Sequence, residues 1–388
     1  MDGDERRRRS AARHHLARPA TSVEEATAGL VGLHSSDPVT VHLSLFARVT
    51  DFTTRDLEET LYERKTLVRM LGMRRTMFVV PLDAAAIMDE ACTKALAPRE
   101  RRRLVKHLAD QGFAKDAERW LDDVSERTLA ALRARGEAAA VELTRDVPEL
   151  GRKLVYDGDN AWARPVGVST RVLFLLAAEG RIVRARPRGS WISGQYRWAE
   201  LETWLGGPLP RLDHREACAE LLRRWLHAFG PGTMTDITWW TGWTVKQTKA
   251  SLDDVGAVGV DLGDGATGWI MPDDLEDADP PGRWVRLLPA LDATVMGWKE
   301  RDWFLGPHAS DLFDRNGNAG PTIWADGRVV GGWTQMPDGR IATKLLEDVD
   351  TRTQRLLMAE SERLEGWFGD ARITPRFRSP VDRELRGT

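Results

Sequence analysis

Cysteine is scarce in this chain, and long apolar runs are missing. The 388 residues include two cysteines, Cys92 and Cys218, with neither a CxxC partner nor a histidine at zinc-ligand spacing. We therefore expect two small buried thiols, no disulfide, no metal and no cofactor. No apolar run approaches the ~18 residues that cross a bilayer, and no apolar stretch of a secretory signal follows the arginine-rich start. These absences predict a cytoplasmic protein that does not bind membranes.

A large net charge is also missing. The 56 lysines and arginines nearly balance the 59 aspartates and glutamates, so the sum does not indicate a nucleic-acid partner. The distribution is uneven, because basic residues bunch at residues 6–9, 99–106, 181–188 and 372–378, whereas acidic residues gather at 273–279. Each basic run is either a solvated helix face or part of a surface that follows phosphates.

Length and periodicity indicate several small domains. A chain of 388 residues with 42% hydrophobic and 30% charged residues has room for two or three globular cores. The order helix, turn, helix, strand hairpin recurs three times, which predicts domains at 1–115, 116–212 and 213–275. Strand-like segments and a final helix predict a fourth unit at 284–375. The expected fold class is α+β, mainly α: three tandem winged-helix domains with a small C-terminal α+β module.

A polar segment stands between two predicted helices at residues 32–38, Gly-Leu-His-Ser-Ser-Asp-Pro. Apolar spacing predicts a helix over residues 23–33, and Pro38 reads as the first residue of the next helix with Asp37 as its cap. His34 and two serines then lie where two helices meet end to end. Such a place can hold polar groups against a substrate, and the alternative is a structural histidine beside ordinary capping residues.

Tryptophan is abundant, with 16 residues in the chain. We expect most of them to be anchors in the core or between domains, among them Trp239, Trp240 and Trp243 on adjoining faces of one helix. We expect only a minority of the tryptophans to be available for stacking on bases.

Several motifs together resemble the bacterial winged-helix DNA glycosylases of the AlkZ and YcaQ type. That family has a helix ending Gly-Leu-Gln-x-Gln, and here His34 and Ser36 stand at the two glutamine positions. Further similar motifs follow in the family's order along most of the chain. They lie at residues 45–48 (Leu-Phe-Ala-Arg), 73–77 (Met-Arg-Arg-Thr-Met), 230–242, 287–292 and 326–333.

The resemblance implies a DNA glycosylase that acts as a monomer on double-stranded DNA carrying alkylated guanine. It would hydrolyse the N-glycosidic bond of bases alkylated at a ring nitrogen, chiefly N7 of guanine. His34 and Ser36 are the candidate catalytic residues, and Asp37 is a third candidate whose simpler role is helix capping. A neutral imidazole can take a proton from the attacking water, so activity is expected to fall as pH drops through about 6.5. The motif lacks a lysine, which predicts a monofunctional enzyme.

The departure from the glutamine motif leaves two interpretations open. The short Ser36 leaves room for a bulky lesion, and the chain looks like the family's antibiotic-linked branch, which removes guanine adducts of genotoxic natural products. Trioxacarcin-type alkylators are then the candidate class, and the function is self-resistance. The alternative is a catalytically inactive winged-helix protein that binds DNA or serves as a regulator.

The predicted DNA contacts come from two segments. One resembles a family stretch near the DNA, and the other is a strand that alternates apolar and basic residues. The candidate phosphate contacts are Arg74, Arg75, Thr76, Arg184 and Arg186.

Overall fold

The computed structural model describes residues 1–155, 165–263 and 265–388; residues 156–164, within the predicted second domain, and Asp264 lie outside these ranges. The fold mixes helices and strands, with helices in the majority. In the described parts of the chain, no helix is both long and apolar enough to cross a membrane.

The N-terminal part folds around a three-stranded antiparallel sheet. Its strand order is β1-β3-β2, and two short helices separate β1 from β2. The elements are α1 (Gly3–Arg13), α2 (Val23–Ala28), β1 (Leu33–His34), α3 (Pro38–Phe46), α4 (Thr54–Glu58), β2 (Leu67–Leu71), β3 (Met77–Pro81), α5 (Leu82–Met88) and α6 (Ala97–Asp110). Single π-helical turns extend α4 and α5.

The same order of elements occurs twice more. The second set forms a sheet of order β4-β8-β7, so its first, short strand again pairs with its last. Its elements are α7 (Ala117–Arg135), β4 (Ala138–Ala139), α8 (Ala140–Asp146), β5 (Lys153–Leu154), β6 (Val166–Gly167), α9 (Val168–Ala178), β7 (Ile182–Pro187), β8 (Tyr196–Glu200) and α10 (Leu201–Leu205).

In the third set a single β-bridge takes the place of the short first strand. Gly232 bridges Trp269 in the last strand, with Trp269 N–H donating to the Gly232 carbonyl at 2.8 Å. The elements are α11 (His214–Phe229), α12 (Met234–Thr241), α13 (Val245–Val255), β9 (Val258–Asp261) and β10 (Thr267–Ile270).

The C-terminal part is a four-stranded antiparallel meander of order β11-β12-β13-β14 with helices packed on it. Its elements are β11 (Val285–Leu288), α14 (Asp302–Leu305), α15 (Ala309–Leu312), β12 (Thr322–Ala325), β13 (Arg328–Gln335), β14 (Ile341–Leu345), α16 (Thr351–Phe368) and α17 (Pro380–Arg386). One apolar core joins this part to the first and third sets and to β7 and β8 of the second. A second core lies mainly in the second set and includes Leu71 of β2 and Leu104 and Leu108 of α6.

Most predicted elements are confirmed to within a few residues. Pro38 is the first residue of α3, and Asp37 caps it by accepting from Val39 N–H at 3.1 Å. Both cysteines are buried and free. The largest fully buried side chains are tryptophans, which confirms their expected role as anchors. They are Trp225, Trp298, Trp324 and Trp333. Trp239 and Trp240 lie on α12, but Trp243 lies beyond its end, after the left-handed Gly242, so the prediction that all three share one helix is wrong.

The predicted helix over residues 23–33 is wrong in its second half. Helix α2 ends at Ala28, and Leu33 with His34 forms strand β1 against β3. Val31 has a left-handed φ of 61°, which breaks the helix. Gly32 then brings the backbone against β3, because a Cβ there would lie 2.8 Å from Val80 Cγ1. The polar segment therefore joins a strand to a helix rather than two helices.

Candidate active site

The polar segment is held to the first sheet by its backbone. His34 pairs with Phe78, and Ser35 N–H continues the pairing by donating to the Met77 carbonyl at 2.8 Å. Side chains alternate along such an extended chain. Leu33 and Ser35 lie in the interior, 0% and 1% exposed, His34 is 9% exposed, and Ser36, at the bend after the strand, is half-buried. The sheet thus fixes His34, and Ser36 follows where the chain bends towards α3.

His34 sits in a nearly dry environment. Its side chain is 9% exposed, its ring meets Phe78 edge-on at 5.7 Å between centroids, and its Nδ1 has no hydrogen-bond partner among the described residues. Burial, reinforced by the positive charge of Arg74, lowers the pKa of His34 to about 3. The imidazole is therefore neutral at physiological pH. The expected loss of activity near pH 6.5 is corrected accordingly, since the ring does not titrate there.

Ser36 and Asp37 are tied to a distant segment near the C-terminus. The Ser36 carbonyl accepts from Arg376 Nη1 at 3.1 Å, and the Asp37 Oδ2 accepts from the Arg376 backbone N–H at 3.2 Å. The other carboxylate oxygen of Asp37 caps α3 through Val39 N–H. The capping role is thus observed, and both oxygens of this third candidate are engaged by backbone donors.

The structure divides the predicted DNA-binding arginines into two groups. Arg75 pairs with Glu100 at 3.1 Å, and Arg186 pairs with Glu58 at 3.0 Å and with a second glutamate. A phosphate contact by either would require its ion pair to open. Thr76, the uncharged candidate, lies immediately before β3, and its hydroxyl is 3.5 Å from the Arg74 carbonyl.

Arg74 and Arg184 have no such partners. Arg74 lies over the ring of Trp239 at 3.9 Å and near His34, whose pKa its charge lowers. Arg184 lies over Trp198 at 3.7 Å. Within the described ranges, neither forms an ion pair with a carboxylate, and the Nε of each is buried without a hydrogen-bond partner.

Three further arginines beside the segment were not predicted. Arg69 donates to the Ser35 carbonyl at 2.7 Å, Arg376 contacts Ser36, and Arg301 shares the Trp239 ring with Arg74. Arg69 is the one charged residue in the apolar run Leu-Val-Arg-Met-Leu. A charged residue in a buried strand is a signal that its side chain makes a specific polar contact. Arg376 belongs to a basic run visible in the sequence, whereas no local signal marks Arg301.

Comparison with known proteins agrees with the sequence motifs. The family model of AlkZ-like DNA glycosylases matches residues 27–367. Among solved structures, the DNA glycosylase AlkZ of Streptomyces sahachiroi is similar in fold, with a TM-score of 0.69 and 18% identity over 94% of this chain and 97% of that one. No curated protein sequence matches the chain. The family match covers most of the chain and the polar segment, and we conclude that the protein belongs to the AlkZ-like family of DNA glycosylases.

Proposed function

We propose that this DNA glycosylase hydrolyses the N-glycosidic bond of N7-alkylguanine in double-stranded DNA, acting as a monomer and leaving an abasic site. The proposal rests chiefly on His34, a neutral imidazole at the position of the family's first glutamine, with Ser36 two residues further along the chain. The repeated order of helix, short strand, two helices and hairpin supports three winged-helix units that bind the duplex.

The chemistry asks little of a general acid. A guanine alkylated at N7 carries a positive charge, so the bond between C1′ and N9 breaks with its electron pair passing to the base, which leaves neutral. The sugar becomes oxocarbenium-like, and water adds to C1′ and loses one proton. His34 accepts a hydrogen bond from this water, and Ser36 holds it from a second side. Because the pKa of His34 is about 3, the ring orients the water and the proton passes on to solvent.

Asp37 has a positioning role in this proposal. Its carboxylate joins the start of α3 to the backbone at Arg376, so it fixes the segment that carries Ser36. It also places one negative charge close to the sugar cation. The two backbone hydrogen bonds keep it from acting as a mobile nucleophile.

The lesion we propose is bulky, of the kind that trioxacarcin-like natural products leave on guanine, and the biological role is self-resistance to such a genotoxin. A cavity of about 300 Å³ with aromatic walls supports this choice. Its lining includes Met77, whose backbone carbonyl accepts from Ser35 N–H, whereas residues 32–38 do not line it. A planar ring system fits such walls by stacking. Leu71, Met77, Phe174, Arg184 and Trp198 are among the residues that line the cavity.

The test treats duplex DNA with an N7-methylating agent or with a bulky intercalating alkylator, adds the protein, and measures alkali-labile abasic sites. We expect excision with wild type, a larger rate for the bulky adduct, and a loss of about 100-fold in H34A with DNA binding intact, because a misplaced reacting group costs about 10²-fold. H227A, at an exposed site, is the matched control. Intact binding without excision of any adduct would favour the inactive DNA-binding alternative.

A further inference from the structure

Four arginines that border the polar segment differ from most others in the chain. Arginines elsewhere commonly pair with carboxylates, as Arg215 does with Asp254 at 2.5 Å. The four at the segment form no ion pair in the parts of the chain that the structure describes, and they lie against aromatic rings instead. They are Arg69, Arg74, Arg184 and Arg301.

The first pair stands beside His34. Arg74 and Arg301 lie 3.9 Å and 5.0 Å from the centre of the Trp239 ring. Arg74 is aimed there by a strained turn, since its φ of 53° lies in the left-handed region, as does that of Arg75. Strain at two successive residues that are not glycine is typical of functional sites. The turn sends Arg74 towards Trp239 and Arg75 towards Glu100.

The second pair stands on the other side, beside Ser35 and Ser36. Arg69 and Arg184 lie 4.1 Å and 4.8 Å from the centre of the Tyr196 ring. Arg69 also donates a hydrogen bond to the hydroxyl of this tyrosine at 2.6 Å. The guanidinium of Arg376, bound to the Ser36 carbonyl, adds a third positive charge at this end.

Like charges in these pairs repel each other. Burial and the charge of Arg69 lower the pKa of Arg184 to about 9, and burial and the charge of Arg74 lower the pKa of Arg301 to about 10. The carboxylates nearby are already engaged. Asp37 accepts two backbone N–H groups, and Asp236 accepts those of Lys299 and Glu300 at 2.8 Å each.

We propose that each pair attracts one phosphodiester of the damaged strand. Arg74 and Arg301 contact one phosphodiester, and Arg184 contacts the other, while the buried Arg69 adds its charge and holds the Ser35 carbonyl and the Tyr196 hydroxyl. A guanidinium presents paired donors that match phosphate oxygens. The aromatic ring in each pair limits the freedom of the side chains before DNA arrives. The assignment of the damaged strand to these pairs rests on the proposed function.

Phosphate at these positions also explains how a site rich in arginine accepts a cationic base. Four unpaired guanidiniums would repel N7-alkylguanine from His34. A phosphodiester seated at each pair cancels much of that charge. The arginines then act on the backbone and leave the base to the neutral imidazole.

The experiment measures binding of undamaged duplex DNA by fluorescence anisotropy over a range of salt concentrations. R184Q removes one charge from one pair, and R301Q removes one from the other. The slope of log K against log salt is negative, and we expect each substitution to reduce its magnitude by about 0.9 and the double variant to reduce it by about twice that. R215Q and R340Q remove exposed charges that form surface ion pairs, and they are the matched controls with unchanged slopes. Thermal unfolding verifies that each variant is folded.

Two further variants separate charge from shape. R184K and R301K keep the charge but lose the planar fork, so we expect weaker binding with the slope retained. Unchanged slopes in R184Q and R301Q, or a change at one pair only, would overturn the assignment. Undamaged DNA makes this result independent of catalysis: slope changes without excision of any adduct would contradict the proposed function alone.

Discussion

At the scale of single residues, the surroundings of His34 decide which chemistry it can perform. A free imidazole changes charge near neutral pH, whereas this ring is packed against Phe78 and faces the charge of Arg74. Burial opposes its protonation, and no carboxylate bonds to it among the described residues. The side chain therefore behaves as a fixed, neutral hydrogen-bonding group, which is also what a glutamine at this position provides.

The pH dependence of excision follows from this environment. Because the pKa of His34 is about 3, the ring stays neutral from pH 8 down to pH 5, and we expect no inflection of the single-turnover rate near 6.5. The measurement is the excision rate at saturating enzyme across pH 5–8, corrected for the spontaneous loss of the alkylated base. A rate that halves near pH 6.5 in wild type but not in H34Q would contradict the expectation.

Substitution by glutamine tests orientation against proton transfer. H34Q restores an amide that can position water but cannot accept its proton, so we expect it to retain activity within about 10-fold of wild type, whereas H34A loses about 100-fold. The readout is the single-turnover rate with DNA in the bound state. Equal losses in H34Q and H34A would show that the imidazole itself takes the proton.

At the scale of elements, helix α3 is fixed to the segment after β11 by one polar face. Thr40 and Ser44 lie one helical turn apart on one side of α3, and Arg48 follows at the same spacing in the turn after the helix. Thr40 donates to the Ala290 carbonyl at 2.8 Å, and Arg48 forms a bidentate pair with Asp292 at 2.6 and 2.9 Å. Both partners of this ion pair are fully buried. Since α3 begins at the polar segment, this contact sets where Ser36 and Asp37 lie.

Neutralising Asp292 tests the contact. D292N leaves Arg48 buried without a counter-charge, and the loss of one partner of a buried pair costs about 3–5 kcal/mol in the free energy of unfolding. Urea denaturation measures this loss. D338N, which removes an exposed carboxylate paired with Arg340, is the control and is expected to have little effect. An equally small effect of D292N would mean that water reaches the pair.

At the scale of the whole molecule, three histidines are buried in neutral form. Burial lowers the pKa of His14 to about 3, of His34 to about 3 and of His42 to about 4. Unfolding returns each to about 6.5, so the unfolded chain binds more protons over the interval between these values. Stability is thus complete above pH 6.5 and declines as pH falls towards 4.

Acid denaturation measures this effect. Each histidine contributes a decline of about 1.4 kcal/mol per pH unit within that interval, which urea unfolding between pH 7 and pH 5 resolves. H42Q removes one of these buried histidines and should reduce the slope by up to about 1.4 kcal/mol per pH unit. An identical slope in H42Q would contradict the burial argument.

Local signals predicted much of this fold and part of the site. The Asp37-Pro38 cap, the apolar period of α11 and α16, and the strand run of β3 depend on neighbours in sequence, and all are present. Leu33 could not be placed in this way. Its spacing fits a helix as well as a strand, and the pairing with Val79 decided between them.

The site could be predicted only as far as its motif. Residues 34–37 were identified, whereas Arg69, Arg301 and Arg376 were not, because each reaches the segment across a long separation in sequence. Arg75 and Arg186 were predicted as DNA contacts on equal terms with Arg74 and Arg184. Which arginines are paired depends on where the carboxylates of other helices fall.

The sequence by itself determined the family, the order of the helices and strands, and the His-x-Ser segment, since caps, apolar periods and motif residues are local properties of the chain. The tertiary structure decided that residues 33–34 form a strand, that His34 is neutral and that Arg48 forms an ion pair with Asp292. It also decided which four arginines lack carboxylate partners among the described residues. Burial and charge pairing are sums over residues far apart in sequence, so they are defined only when the chain has folded.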